Sequence, residues 1–265
     1  MKAQKSILFT SLILLVISCG QQPKKYIKSP LDNIITSYID VQNYSVILAD
    51  MDYKEATDKY FHKYKIIVEK KQNTTESAED DFDIKMTEWK EVSAITFEKH
   101  QKDLGMTLLS KKEGVLDKKV SPAGYDNYVG NEKYGNWQRQ SNGTSFWAFY
   151  GQYQFMSSLF YGAGHRYYRN DYDYYRTSYS GRNNYYGRNN TFGTSTYKSP
   201  SSSWNAKTTS FKERVRTKVS RSSSSLKTRG YSSGRSYNNS NRITRNTNRY
   251  NSYSTSRSRS RGYGK

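Results

Sequence analysis

The sequence holds one cysteine, Cys19, so no intrachain disulfide can form. It has four prolines and three histidines in 265 residues. It contains no HExxH, GxxxxGK or CxxC, so the common signatures of zinc peptidases, phosphate-loop proteins and dithiol redox proteins are missing. Hydrophobic residues make up 34%, below the roughly 45–50% of an ordinary globular chain, which excludes a uniform globule. Acidic residues are scarce after residue 159, where Asp171, Asp173 and Glu213 face 22 Lys and Arg. Residues 1–159 are balanced, with 21 basic and 20 acidic groups. The net charge of +20 therefore sits almost wholly in the second part of the chain, where arginine also replaces lysine as the main base.

The amino terminus carries Lys2 and Lys5, then an apolar run over Ile7–Ile17 of signal-peptide length, too short to span a bilayer. It ends Val16-Ile17-Ser18-Cys19-Gly20. This resembles the lipobox of bacterial lipoproteins. The resemblance implies cleavage between Ser18 and Cys19, diacylglycerol on the Cys19 sulfur and export to the cell envelope. Gly20 in place of Asp implies the outer membrane over the inner one. Two or three acyl chains, at about 0.8 kcal/mol per buried CH₂, suffice as an anchor. Residues 1–18 thus read as a signal peptide and residues 19–34 as a tether containing Pro23 and Pro30.

Residues 35–138 read as a small α+β domain. Val41–Asp50 and Met106–Ser110 are strand-like, and Ile84–Trp89 less distinctly so. Tyr60–Glu69 alternates, with Tyr60, His62, Tyr64, Ile66 and Val68 on one face. Glu91–Asp103 is helix-compatible, with Gly105 as a stop. His62 and His100 are the candidate catalytic bases, but an isolated imidazole on an apolar face is usually structural. Asp50, Asp52, Glu55 and Asp58 could bind a cation, as could Glu79–Asp83, yet neither has EF-hand spacing, and solvated acidic loops are the simpler reading. No metal or cofactor is expected.

Residues 139–165 carry no charge after Arg139 and are rich in rings. They read as the domain's edge, as a membrane-interfacial segment through Phe146, Trp147, Phe149, Phe155 and Phe160, or as a membrane span. Residues 166–265 hold few aliphatics and read as a long, basic, mostly disordered tail. Within it, Phe211, Val215 and Val219 recur every four residues behind a Ser210/Glu213 capping-box spacing, as a short amphipathic contact helix. Arg214, Arg216, Arg257, Arg259 and Arg261 are the expected anion-binding residues.

Arginine interleaved with tyrosine suits single-stranded nucleic acid, and Arg257–Arg261 resembles the Arg-Ser tracts of RNA-binding proteins. Export favours anionic lipid or an anionic envelope polymer instead. The sequence therefore predicts a non-enzymatic, lipid-anchored envelope protein. The alternatives are an extracytoplasmic nucleic-acid binder and an envelope enzyme within 35–138. Residues 121–161 resemble only uncharacterised lipoproteins with Tyr/Gly-rich ends, which implies no activity.

Overall fold

A computed structural model describes residues 26–70, 79, 81–160 and 165–231. In chain order its helices are α1 (Pro30–Ser37), α2 (Ala94–His100), α3 (Met156–Leu159), α4 (Arg169–Ser178), α5 (Ser203–Ala206) and α6 (Thr209–Thr228). Its strands are β1 (Tyr44–Lys54), β2 (Lys59–Glu69), β3 (Phe82–Met86), β4 (Lys90–Val92), β5 (Met106–Lys112), β6 (Val115–Asp117), β7 (Ser121–Pro122), β8 (Gly135–Arg139) and β9 (Ser145–Phe149).

The α+β class is the observed one. The main sheet runs β3-β2-β1-β5-β6 and is antiparallel throughout, with β4 continuing along β2 and β7 along β5. A separate hairpin pairs β8 with β9, with Trp137 opposite Trp147. The period-two pattern of β2 translates directly into burial, since Tyr60, His62, Tyr64, Ile66 and Val68 are all buried. Phe97 of α2 covers that face, its ring 5.1 Å from Tyr60 and 5.4 Å from His62. The other face, marked by Ser45 opposite Ile67, meets the 124–134 turn region. There the Asn127 amide donates to the Tyr44 and Lys111 carbonyls at 3.3 and 3.2 Å.

Three expected boundaries move. The tether does not extend to residue 34: α1 begins at Pro30, which starts the helix where its missing N–H costs nothing, and Pro30 and Ile34 are buried. The domain does not end at 138. Residues 139–160 contribute Trp147, Phe149, Tyr153, Met156 and Phe160 to the core. Nor is the chain a disordered tail from residue 166, because residues 166–231 fold onto the sheet domain and bury Tyr172, Tyr175, Trp204, Val215, Val219 and Leu226. The aliphatic count hid this. The core of the second half is built of rings, each of which buries as much area as an aliphatic or more. Tyrosine also needs a partner for its hydroxyl, and the fold supplies it. Tyr125 and Tyr185 both donate to the Asp171 carboxylate, at 2.8 and 2.6 Å. Tyr186 donates to Asp103 at 2.7 Å, and Tyr167 to the Ala123 carbonyl at 3.1 Å.

Two glycines of the first half show the same co-folding. Gly105 and Gly130 adopt φ of +80° and +75°. At each, a Cβ would collide with a tyrosine ring from beyond residue 165, Tyr197 and Tyr172 respectively.

Candidate functional site

Ser18 and Cys19 lie outside the described residues, as do Arg257, Arg259 and Arg261. The remaining sequence-marked residues have definite places. Phe211, Val215 and Val219 form the inner stripe of α6, a helix of 20 residues running to Thr228. Its cap is Thr208, whose hydroxyl accepts from the Phe211 N–H at 3.3 Å, rather than Ser210. The partner of the amphipathic face is the protein's own α2, with Val215 and Val219 buried and Phe211 partly so.

Three of the acidic residues weighed as a cation site, Asp52, Glu55 and Asp58, together with Glu98, face the base-rich segment 207–227. Lys207 reaches Asp52 at 3.2 Å, Arg214 reaches Glu55 at 3.6 Å, Lys218 reaches Asp58 at 3.1 Å and Lys227 reaches Glu98 at 2.7 Å. Exposed pairs contribute about 0–1 kcal/mol each, so they align the helix more than they hold it. Arg214 is thereby partly neutralised, while Arg216 is exposed.

The rings expected at a membrane interface are core or near-core groups. Trp147, Phe149 and Phe160 are buried, and Phe155 packs against Phe82 at 5.9 Å. Phe146 lies under the Arg166 guanidinium at 5.0 Å. The physical reason is the polar interruptions at Gln152, Gln154, Ser157 and Ser158: they break the segment into β9, a 3₁₀ turn and α3, so its rings point back into the domain. No helix among the described residues is long and apolar enough to cross a membrane.

The two candidate bases come together, but deep inside. The His62 and His100 rings are 6.2 Å apart. His62 Nδ1 lies 3.1 Å from the Tyr64 hydroxyl, and His100 Nδ1 lies 2.8 Å from Asp103. His62, His100 and Asp103 are 0%, 3% and 1% exposed, so this His-Asp pair braces the core and reaches no substrate surface. Either neutral tautomer of His62 satisfies the Tyr64 bond and leaves Nε2 without a hydrogen-bond partner.

Burial, aided by nearby His100, holds the His62 pKa well below the usual value of 6.5. An unfolded chain takes up that proton near pH 6.5 and the folded one does not. The stability present above pH 6.5 is therefore lost as pH falls, by up to about 1.4 kcal/mol per pH unit. His62→Gln should flatten the fall in denaturant midpoint between pH 6.5 and 5. An unaltered slope contradicts the assignment.

One surface feature escaped the sequence reading. A cleft of about 780 Å³ opens between the β8–β9 turn (Gly143, Thr144, Ser145), the start of α4 and the 188–192 loop. Arg166, Arg169 and Arg188 line it, with Asn170, Asn189, Thr191 and the exposed ring of Tyr168. Its acids are internally engaged: Asp171 also accepts from the Arg188 N–H at 3.2 Å, and Asp173 faces Arg169 at 3.5 Å. Burial, with the charge of Asp171, pushes the Tyr125 and Tyr185 hydroxyls well above the ordinary phenol range, so both remain donors to that carboxylate. Burial also lowers the pKa of His165 against the opposing pull of Asp171. No local sequence pattern could reveal this cleft, because its walls come from segments some 20 residues apart.

Among the described residues no group of three His, Cys, Asp or Glu could hold a metal ion. No family model, curated protein or solved structure matches the chain.

Proposed function

We propose that the chain is a non-enzymatic, lipid-anchored protein of the bacterial cell envelope, held by Cys19 and steadied by a basic carboxy-terminal segment against anionic surface, with the outer membrane favoured. The structural observation supporting this is the stacking of Tyr26 on Tyr231, with ring centroids 5.0 Å apart and planes 10° from parallel. The two ends of the described fold thus meet. Cys19 is seven residues before Tyr26, at most about 25 Å of extended chain. The segment 232–265, with eight Lys/Arg and no Asp/Glu, starts directly after Tyr231. That the described fold begins and ends at one contact supports a reading in which the anchor and the basic segment act on the same surface. Each base near an anionic surface contributes about 1 kcal/mol, screened beyond a Debye length of about 8 Å.

Cys19→Ala should abolish labelling by a palmitate analogue and release the protein from the membrane fraction. Retained label and retained fractionation would refute the anchor. A Cys19→Ser chain should bind vesicles containing phosphatidylglycerol at low salt and detach as salt rises. The same chain stopped after Tyr231 should bind much more weakly. Equal, salt-insensitive binding by both would refute the role of the basic segment.

A further inference from the structure

We infer that the cleft between the β8–β9 turn, α4 and the 188–192 loop is a binding site for an acidic saccharide, a sugar chain carrying carboxylate or phosphate groups. The inference gives a chemical class to the anionic envelope polymer of the proposed function, but the cleft itself requires neither the anchor nor segment 232–265.

Three properties of the cleft point to this class. The first is its cations. Arg166 and Arg188 line it, and among the described residues neither guanidinium is ion-paired with a carboxylate. Each is held in place by a ring instead: Arg166 over Phe146 at 5.0 Å, and Arg188 over Tyr174 at 4.8 Å. Arg188 is further fixed by donating to the Asn170 carbonyl at 3.3 Å. A stacked guanidinium keeps its in-plane N–H groups for a carboxylate or phosphate, and pre-positioning lowers the entropy lost on binding. The cations of α6 differ, since Arg214 and Lys218 are paired with Glu55 and Asp58.

The second is the neutral lining. Asn170, Asn189 and Thr191 bring amides and a hydroxyl that both donate and accept. A simple polyanion needs only positive charge, whereas a ligand rich in hydroxyls uses such groups. The third is size and shape. About 780 Å³ lies within the range of small-molecule sites, roughly 300–1,000 Å³, and accommodates a few sugar units. The exposed Tyr168 ring gives a flat apolar surface for a sugar face, beside the charged and polar groups.

The framework behind the cleft is fixed. Asp171 is gripped by two tyrosine hydroxyls and the Arg188 N–H, tying α4 to the 185–188 loop and to Tyr125. The exposed arginines can thus be changed without removing a core contact.

The test uses the full chain with Cys19→Ser, titrated calorimetrically with trigalacturonate, with glucose 6-phosphate, with neutral maltotriose and with inorganic phosphate. Binding of trigalacturonate or glucose 6-phosphate is expected, with neutral maltotriose at least tenfold weaker. Which of the two acidic probes binds tighter identifies carboxylate or phosphate as the natural group. Arg166→Gln, and Arg166→Gln with Arg188→Gln, should weaken that binding at least tenfold with an unchanged melting temperature. Arg221→Gln, on α6, should leave it unchanged. The inference is overturned if neither acidic saccharide binds at 10 mM, if maltotriose binds equally well, if phosphate alone binds as tightly as glucose 6-phosphate while trigalacturonate fails, or if Arg221→Gln weakens binding as much as Arg166→Gln. Vesicle binding and lipid labelling are separate measurements, so failure of the membrane reading would leave this result standing.

Discussion

A fragment comprising residues 26–138 will not fold, whereas residues 26–231 will melt cooperatively within a few degrees of the full chain. The shorter fragment contains every strand of the main sheet. It lacks ten buried aromatic side chains that follow residue 138, among them Trp147, Phe160, Tyr172 and Trp204. At about 2 kcal/mol for each ring moved from water to core, their loss is worth roughly 20 kcal/mol. That exceeds the net stability of a typical domain, about 5–15 kcal/mol. The fragment would also strand polar groups: the Tyr125 hydroxyl loses Asp171, and Asp50 loses all its donors from α5. Circular dichroism in the near ultraviolet and amide exchange read the result directly. A cooperative thermal transition in 26–138 would show that the later residues decorate a domain that stands without them.

Asp50→Ala should lower the melting temperature of the full chain by about 10 °C. Asp50 lies at a register shift in β1 between Leu48 and Asp50, an irregularity of the kind that re-aims a side chain. Its Oδ1 accepts from the Ser202 hydroxyl at 2.8 Å and the Trp204 N–H at 3.2 Å, and its Oδ2 accepts from the Ser203 N–H at 2.6 Å. Oδ1 also accepts from the Met51 N–H at 2.9 Å. Ser202 in turn accepts from the Asn205 N–H at 3.2 Å, so one carboxylate organises the whole entry to α5. That entry seats Trp204, 2% exposed, edge-on against Phe97 at 5.7 Å. Removing the carboxylate leaves several buried donors unpaired, a loss of about 3 kcal/mol or more. For a fold of this length each kcal/mol moves the midpoint by about 2–4 °C. Asp50→Asn retains one acceptor oxygen and should fall between wild type and Asp50→Ala. A shift under 2 °C for Asp50→Ala would mean that the α5 contact is dispensable.

The single-sequence pattern was legible wherever partners are local. The alternation of β2 put His62 on the inner face, and the four-residue recurrence of Phe211, Val215 and Val219 marked a helix with one apolar stripe. The same sequence misled wherever partners are distant. A low aliphatic count reads as disorder only if tyrosines are assumed to stay in water. Tyr125 and Asp171 are 46 positions apart, and Asp50 and Ser202 are 152 apart, so no window along the chain contains both members of either pair.

Charge shows the division most plainly. The scarcity of acids after residue 159 is a fact of sequence, but its meaning changed on folding. Four bases of that stretch, Lys207, Arg214, Lys218 and Lys227, pair with Asp52, Glu55, Asp58 and Glu98, while Arg166 and Arg188 line a cleft and the segment 232–265 carries eight further bases and no acid. Sequence alone therefore determined the lipobox resemblance, the α+β class, the face of β2 and the apolar stripe of α6, because each is written within a few neighbouring residues. Tertiary structure alone decided where the domain ends, what the amphipathic helix covers and which arginines line a cleft. Those depend on which distant side chains can bury one another's rings and satisfy one another's polar atoms at the same time.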